Sequence, residues 1–118
     1  MLRLNHKNLD VWKMGIELVT EVYKLTNNFP KSEIYGITNQ VRRAAVSIPS
    51  NIAEGAARNS AGERKRFFEI ARSSLVEIDT QLEISVKLNF CNEEKISNLS
   101  EKINHLFASL TKLIQNTK

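Results

Sequence analysis

The last quarter of the chain repeats apolar residues at alternating steps of three and four positions. This spacing places the apolar side chains on one face of an α-helix, and such a face has to be buried against other helices. The residues that carry the repeat are Ile96, Leu99, Ile103, Leu106, Leu110 and Leu113. The pattern predicts a helix over about residues 93–115 in a helical bundle, with Asn92 as its N-cap.

Three earlier segments show the same spacing, at about residues 9–27, 33–58 and 61–89. Their stripes are Leu9, Trp12, Ile16, Val19 and Tyr23; Ile37, Val41, Ala45, Ile48, Ile52 and Ala56; and Phe68, Ala71, Leu75, Ile78, Leu82 and Ser85. The predicted N-caps are Asn8, Ser32 and Ser60, the last with Glu63 in a capping box. Short connections favour antiparallel neighbours. We expect an all-α, antiparallel up-down four-helix bundle in one domain over residues 1–118.

Pro49 lies inside the second of these segments. The apolar stripe keeps its phase on both sides of the proline, which predicts one helix with a kink where the backbone bond to the Ala45 carbonyl is missing. The alternative is a break at Pro49 followed by a new helix, for which Asn51 and Glu54 offer a capping box. The residue before a proline is biased away from helix, which keeps that alternative open.

Two of the predicted helices carry apolar or small residues away from their core stripes. They are Val46, Pro49, Ala53 and Ala57 on the second helix, and Ile70, Ile84 and Leu88 on the third. Large exposed apolar patches are uncommon on monomers, so we expect these residues to form the interface of a homo-oligomer. The alternative is a wide core stripe.

Positive charge is concentrated in the middle of the chain. The net charge is +4, and residues 42–72 hold seven basic and three acidic residues. We interpret six of these cations as candidate phosphate contacts for RNA or DNA: Arg42, Arg58, Arg64, Lys65, Arg66 and Arg72. Phe67 and Phe68 are interpreted as packing residues, so stacking of single-stranded bases is not expected in this region. A solvated helix face is the alternative interpretation.

Several classes of site find no support in the sequence. Cys91 is the only cysteine, and the two histidines, His6 and His105, belong to no recognisable catalytic or metal-binding pattern. A glycine-rich phosphate loop, a signal peptide and a membrane-spanning run are all missing. We expect a non-enzymatic protein of the cytoplasm, without metal, cofactor or membrane contact.

Three stretches carry a resemblance to a known family: "VWKMGIELVTEVYKLTNNFP", "YGITNQVRRAAVSIPSNIAEG" and "RFFEIARSSLVEIDTQLEIS". They resemble the four-helix-bundle proteins encoded by intervening sequences in bacterial 23S ribosomal RNA genes. The resemblance implies a basic ring-shaped homo-oligomer, a pentamer. That family is similar to accessory proteins of diversity-generating retroelements, which implies contact with nucleic acid and with a nucleic-acid-processing protein.

The resemblance also marks individual positions. Beside Arg42, Pro49 and Gly55, they are Arg43, Ser47, Ser50, Asn51, Glu54, Glu77, Thr80 and Gln81. Glu77 and Gln81 lie one helical turn apart and can face Arg43 or Ser47 across an antiparallel helix pair. We therefore interpret this second set as a structural polar lattice between the second and third helices.

Two functions follow from these patterns. The first is a basic oligomer that binds RNA or DNA through phosphate contacts, with little sequence readout. The second is an oligomeric protein-interaction scaffold without direct nucleic-acid binding, in which the arginines mostly pair with carboxylates.

Overall fold

The computed structural model describes residues 1–2 and 4–118 of the chain, and the regular structure in this part is helical. The four α-helices are α1 (Asp10–Thr26), α2 (Ile37–Ala56), α3 (Ala61–Lys87) and α4 (Glu93–Asn116). Short 3₁₀ segments at Asn5–Asn8 and Lys31–Glu33 precede α1 and α2. The expected all-α class with four helices is confirmed.

Each helix packs against the next along the chain, and α4 closes the bundle against α1. Contacts between the end of one helix and the start of its neighbour show that the helices alternate in direction. Such pairs are Thr26 with Arg42, Gly55 with Phe68, Arg64 with Lys118, and Leu9 with Leu113 in one shared cavity. The bundle therefore has two ends, one of which holds the starts of α1 and α3 together with the ends of α2 and α4.

The predicted apolar stripes of α2, α3 and α4 form most of the core. In α3 every predicted position is buried, and in α2 and α4 only terminal positions of the stripe are half-buried. These half-buried residues are Ala56, Ile96 and Leu113. Helix ends have fewer neighbours than helix centres, which accounts for their partial exposure.

The predicted stripe of α1 is only partly correct: Leu9, Trp12 and Val19 are half-buried against the core. The buried residues of this helix are Val11, Gly15, Leu18, Val22 and Thr26. Two residues of the predicted stripe, Ile16 and Tyr23, are 43% and 41% exposed. The buried face of α1 lies beside the predicted one because the helix presents a glycine and a threonine, not only large apolar residues, to α2.

Pro49 lies within a continuous helix, so the alternative of two helices separated at this proline is wrong. The kink stays a prediction. Pro49 is buried, and a Cβ atom built on Gly15 of α1 would lie 3.4 Å from the proline ring. Because α1 covers this ring within the subunit, the prediction that Pro49 lies in the oligomer interface is wrong. Pro49 belongs to the contact between α1 and α2.

Two of the four predicted N-caps are confirmed. The Ser60 hydroxyl accepts a hydrogen bond from Glu63 N at 3.1 Å, and the Asn92 side chain accepts one from Lys95 N at 2.8 Å. The other two predicted caps, Asn8 and Ser32, lie in the 3₁₀ segments. Consequently α1 and α2 begin later than predicted.

Candidate functional site

One end of the bundle collects cations from several parts of the chain. The start of α3 lies beside the end of α4. A hydrogen bond shows this proximity, since Arg64 Nη2 donates to the main-chain oxygen of Lys118 at 3.3 Å. We call this region the basic end; its cations are Arg58, Arg64, Lys65, Arg66, Lys112 and Lys118. The last two lie far from the others in the sequence, so the sequence analysis missed them.

Arg64 links the segments at the basic end. Besides the Lys118 oxygen, its guanidinium donates to the main-chain carbonyls of Arg58 at 3.2 Å and Asn59 at 2.9 Å. Through these bonds Arg64 links the loop between α2 and α3 to the end of α4. Arg64 is therefore half-buried and has a structural task in addition to its charge.

Arg58 is the one predicted phosphate contact that pairs with a side-chain carboxylate among the described residues. Its Nη2 lies 3.1 Å from Oε2 of Glu54, and its guanidinium stacks 4.8 Å from the centre of the Phe67 ring. Both partners of this ion pair are exposed, so solvent screens their attraction. Glu54 nevertheless offsets much of the charge of Arg58.

Arg72 is held on the outer surface between α3 and α4. Its Nη1 donates to the Thr111 hydroxyl at 3.1 Å, and its guanidinium lies 5.6 Å from the centre of the Phe107 ring. Both partners are uncharged. The arrangement fixes the position of the guanidinium and leaves its charge uncompensated.

Arg42 lies at the opposite end of the bundle. Its Nε donates to the Thr26 hydroxyl at 2.8 Å, and its Nη2 donates to Asn27 Oδ1 at 3.3 Å. The guanidinium covers the Tyr23 ring at 4.5 Å from the ring centre. The structure therefore separates Arg42 from the other predicted phosphate contacts.

Four lysine and arginine side chains at the basic end form no ion pair among the residues that the structure describes. They are Lys65, Arg66, Lys112 and Lys118. Arg66, Lys112 and Lys118 are exposed, and Lys65 is half-buried. The amphipathic stems of such side chains pack on the protein while the charged groups stay in water.

The predicted polar lattice is only partly brought together. Arg43, Ser47, Glu77 and Gln81 line one cleft of about 420 Å³ between α2 and α3. The direct side-chain bond across this cleft joins the hydroxyls of Ser47 and Ser74 at 2.7 Å. Ser74 was not in the predicted set, although its small side chain beside the core stripe is typical of a close helix contact.

The remaining lattice positions face elsewhere. Asn51 donates to the carbonyl of Ser47 at 2.7 Å within α2, and Glu54 pairs with Arg58. Ser50 and Thr80 are exposed. Thr80 lines a second, shallow cleft with Glu77 and Gln81.

Comparison with known proteins decides the family. The family model described as "23S rRNA-intervening sequence protein" matches residues 7–112. The chain belongs to this family. No curated protein matches the chain.

A solved structure supports the fold of this 23S rRNA-intervening sequence protein family member. The crystal structure of a protein of unknown function from the S23 ribosomal protein family of Bacteroides thetaiotaomicron superposes with a TM-score of 0.80. The two sequences are 19% identical, and the alignment covers 90% of this chain and 99% of the other. At this identity the likeness establishes the four-helix fold alone.

Most predicted interface residues of this family member are accessible on the single chain. Val46, Ile70, Ile84 and Leu88 are exposed large apolar residues. Ala57 is exposed and Ala53 is half-buried. Without Pro49, the predicted interface has six residues, and all six are accessible to a second subunit.

Lys102 of α4 forms ion pairs with two carboxylates of α1, on the α1–α4 flank of the bundle. Lys102 Nζ donates to Glu17 Oε1 at 2.8 Å and lies 3.7 Å from Glu21 Oε1. The hydrogen bond and the positive charge of Lys102 lower the pKa of Glu17, and the bond to Glu17 raises the pKa of Lys102. Glu17 and Glu21 of α1 therefore pair with Lys102 of α4 on this flank.

Among the described residues, no group of histidine, cysteine and acidic side chains has the geometry to hold a metal ion. Burial raises the pKa of the Cys91 thiol. The helices in this described part are too short or too polar to cross a membrane.

Proposed function

We propose that this protein is a non-enzymatic, basic homo-oligomer of the cytoplasm that binds RNA or DNA through phosphate contacts at the basic end. The observation that carries the proposal is the lack of neutralisation. Of the six cations first predicted to contact phosphate, only Arg58 pairs with an aspartate or glutamate side chain within the described residues. Uncompensated cations attract the phosphate backbone and release its counterions.

The fold strengthens this proposal by adding cations that the sequence places far apart. Lys112 and Lys118 of the α4 segment lie at the same end as Lys65 and Arg66 of α3. A single subunit offers few phosphate contacts. Several subunits in one assembly would engage one nucleic acid together, and the affinity would then rise through a high effective concentration.

RNA is the first ligand to test. The name of the family refers to an intervening sequence of 23S rRNA. Phosphate contacts alone carry no sequence information, so we propose binding to structured RNA and duplex DNA with little discrimination between sequences.

The second candidate is an oligomeric protein-interaction scaffold. The observation in its favour is the set of exposed apolar residues on α2 and α3, which includes Val46, Ile84 and Leu88. Under this alternative the arginines would mostly pair with carboxylates, an arrangement that only Arg58 shows within the described residues. We therefore favour nucleic-acid binding.

The test is a salt titration of binding to a fluorescent RNA hairpin and to duplex DNA, followed by anisotropy. The logarithm of the affinity should fall linearly with the logarithm of the salt concentration. Replacing Lys65, Arg66 and Lys112 together by Ala should weaken binding at least about tenfold near 0.1 M salt. Each phosphate contact that is lost should reduce the salt slope by about one.

A charge-matched control separates local contacts from net charge. Lys31, Lys87 and Lys95 are exposed residues at the opposite end of the bundle. Their triple replacement by Ala removes the same charge and should change the affinity far less. Equal loss in both triple variants, or no binding by the unmodified protein at low salt, would contradict the proposal.

A further inference from the structure

A second cationic feature lies at the opposite end of the bundle, where α1 ends and α2 begins. It is a cleft of about 520 Å³, and we call it the tyrosine–arginine cleft. The lining residues that matter here are Tyr23, Tyr35, Asn39, Arg42, Arg43 and Val46. Its volume is within the range of about 300–1,000 Å³ that is usual for sites that bind small ligands.

Tyr35 is the unusual residue of this cleft. It lies between the 3₁₀ segment and α2, and it is 93% exposed. An aromatic ring that is so exposed does not contribute to the packing of the core, and its face is available for stacking. Aromatic platforms of this kind hold the bases of single-stranded nucleic acids.

Arg42 forms a fixed cation on one wall of the cleft. Stacking on Tyr23 and hydrogen bonds to Thr26 and Asn27 hold its guanidinium in place. These bonds use two of its five N–H donors, and none of its partners is charged. Its charge and its remaining donors are therefore available to an anion, with little side-chain entropy left to lose.

Arg43 supplies a second cation beside it. Its side chain is exposed and forms no ion pair among the described residues. Among the residues that the structure describes, no aspartate or glutamate lines the cleft, so the charged groups of its lining are both positive. Asn39 adds an exposed amide that both donates and accepts hydrogen bonds, as recognition of a base edge requires.

We propose that the tyrosine–arginine cleft binds one nucleotide of a single-stranded nucleic acid. The base stacks on Tyr35, the adjoining phosphates contact Arg42 and Arg43, and Asn39 hydrogen-bonds to the base edge. This inference rests on the proposed nucleic-acid function and gives it a second site with a different preference. The basic end takes any phosphate backbone, whereas the cleft requires an unpaired base.

A single strand fits this cleft better than an acidic protein segment does. Two cations beside an unpacked aromatic ring match the regular alternation of phosphate and flat base along a strand. A protein segment would instead need a deeper apolar groove for its anchoring side chain. The apolar residues that line this cleft are exposed, among them Ile34 and Val46, so they do not enclose a deep groove.

The first test compares an eight-nucleotide single-stranded RNA with a duplex that carries a similar number of phosphates. Tyr35→Ala should weaken binding of the single strand about tenfold, because base stacking is lost, and should change duplex binding less than twofold. Tyr35→Phe keeps the ring and should keep the affinity. Equal loss for both ligands, or no loss for the single strand, would overturn the inference.

The second test locates the contact by photocrosslinking. A single strand that contains 4-thiouridine should crosslink to the tryptic peptide of residues 32–42, which includes Tyr35. Crosslinks confined to the basic end would overturn the cleft and leave the proposed function intact. Stronger competition for the crosslink by a glutamate-rich peptide than by unlabelled single strand would assign the cleft to a protein partner and overturn the inference.

The variants also separate the two proposals. If the triple replacement of Lys65, Arg66 and Lys112 weakens both ligands while Tyr35→Ala changes neither, the cleft inference fails and the proposed function stands. If Tyr35→Ala weakens the single strand while the triple replacement has no effect, the basic end fails and the cleft stands.

Discussion

Gly55 of α2 lies in close contact with Phe67 and Phe68 of α3. A Cβ atom at this position would lie 2.8 Å from Cε1 of Phe68 and 3.0 Å from Cβ of Phe67. Phe68 is buried, so a Cβ atom at Gly55 would have to displace a ring of the core. The absence of a side chain at Gly55 is therefore a packing requirement of the α2–α3 contact.

Gly55→Ala should lower the free energy of unfolding. Overpacking against Phe68 costs about 1–3 kcal/mol, and the better helix propensity of alanine returns up to about 1 kcal/mol. We expect a net loss of about 1–2 kcal/mol in urea unfolding followed by circular dichroism.

Gly15→Ala is the matched control. A Cβ atom at Gly15 meets the Pro49 ring at 3.4 Å, an ordinary van der Waals distance. The same substitution should therefore be neutral or stabilise the fold by up to about 1 kcal/mol. Equal effects of the two substitutions would show that Gly55 is not a close-packing position.

Among the helices, α1 shows where a sequence pattern is insufficient. Large apolar residues mark a stripe through Ile16 and Tyr23, yet the helix buries Gly15 and Thr26 instead. Gly15 is buried because it packs against the Pro49 ring of α2, and Thr26 because it accepts a hydrogen bond from Arg42 of α2. Both reasons depend on the partner helix, which periodicity within one segment does not contain.

The other three helices were predictable because their buried faces consist mainly of apolar residues at helical spacing. Two N-caps, Ser60 and Asn92, were also predictable, since each bond is local. The candidate site was less accessible to prediction. Lys112 joins the basic end, and Tyr23 joins Arg42, only through the antiparallel packing of different helices.

The end of α3 offers a test of local helix geometry. Asn89 has a φ of 63°, and the N–H groups of Asn89 and Phe90 donate to the carbonyls of Val86 and Ser85. This is the Schellman arrangement, in which glycine is favoured at the left-handed position. It also sends the chain back toward the bundle, where the Phe90 ring packs 5.8 Å from that of Phe29.

Asn89→Gly should raise the free energy of unfolding by about 0.5–1 kcal/mol, because glycine adopts this conformation without a steric penalty. Asn89→Ala, which keeps the penalty and loses the favourable local bonding of asparagine, should lower it. Thermal and urea unfolding measure both effects. A destabilising glycine would mean that the Asn89 side chain matters more than its backbone.

The molecule as a whole presents three separate surfaces. The basic end and the tyrosine–arginine cleft lie at opposite ends, and exposed apolar residues of α3 lie along the side between them. A ring formed through that side would leave both ends of every subunit accessible. We therefore propose that assembly, which the family resemblance implies to be pentameric, uses α3 and leaves the basic end free, whereas Val46 of the predicted interface also lines the tyrosine–arginine cleft.

Ile84→Asp should dissociate this assembly, because a carboxylate would replace an apolar contact on α3. Ile16→Asp is the matched control, since Ile16 on α1 and Ile84 are 43% and 42% exposed. Analytical ultracentrifugation should show a multi-subunit species for the unmodified protein and for Ile16→Asp, and smaller species for Ile84→Asp. A monomeric unmodified protein would contradict both the assembly and the argument from avidity.

The antiparallel bundle also determines where attachments to the chain emerge. His6, before α1, and Thr117, after α4, line the same cavity, and Arg64 donates a hydrogen bond to the Lys118 oxygen. A tag, a fluorophore or a surface linkage at either terminus will therefore project next to the proposed phosphate contacts. Immobilisation through either terminus would therefore cover the basic end and leave the tyrosine–arginine cleft facing the solution, so biosensor measurements in this orientation would report on the cleft.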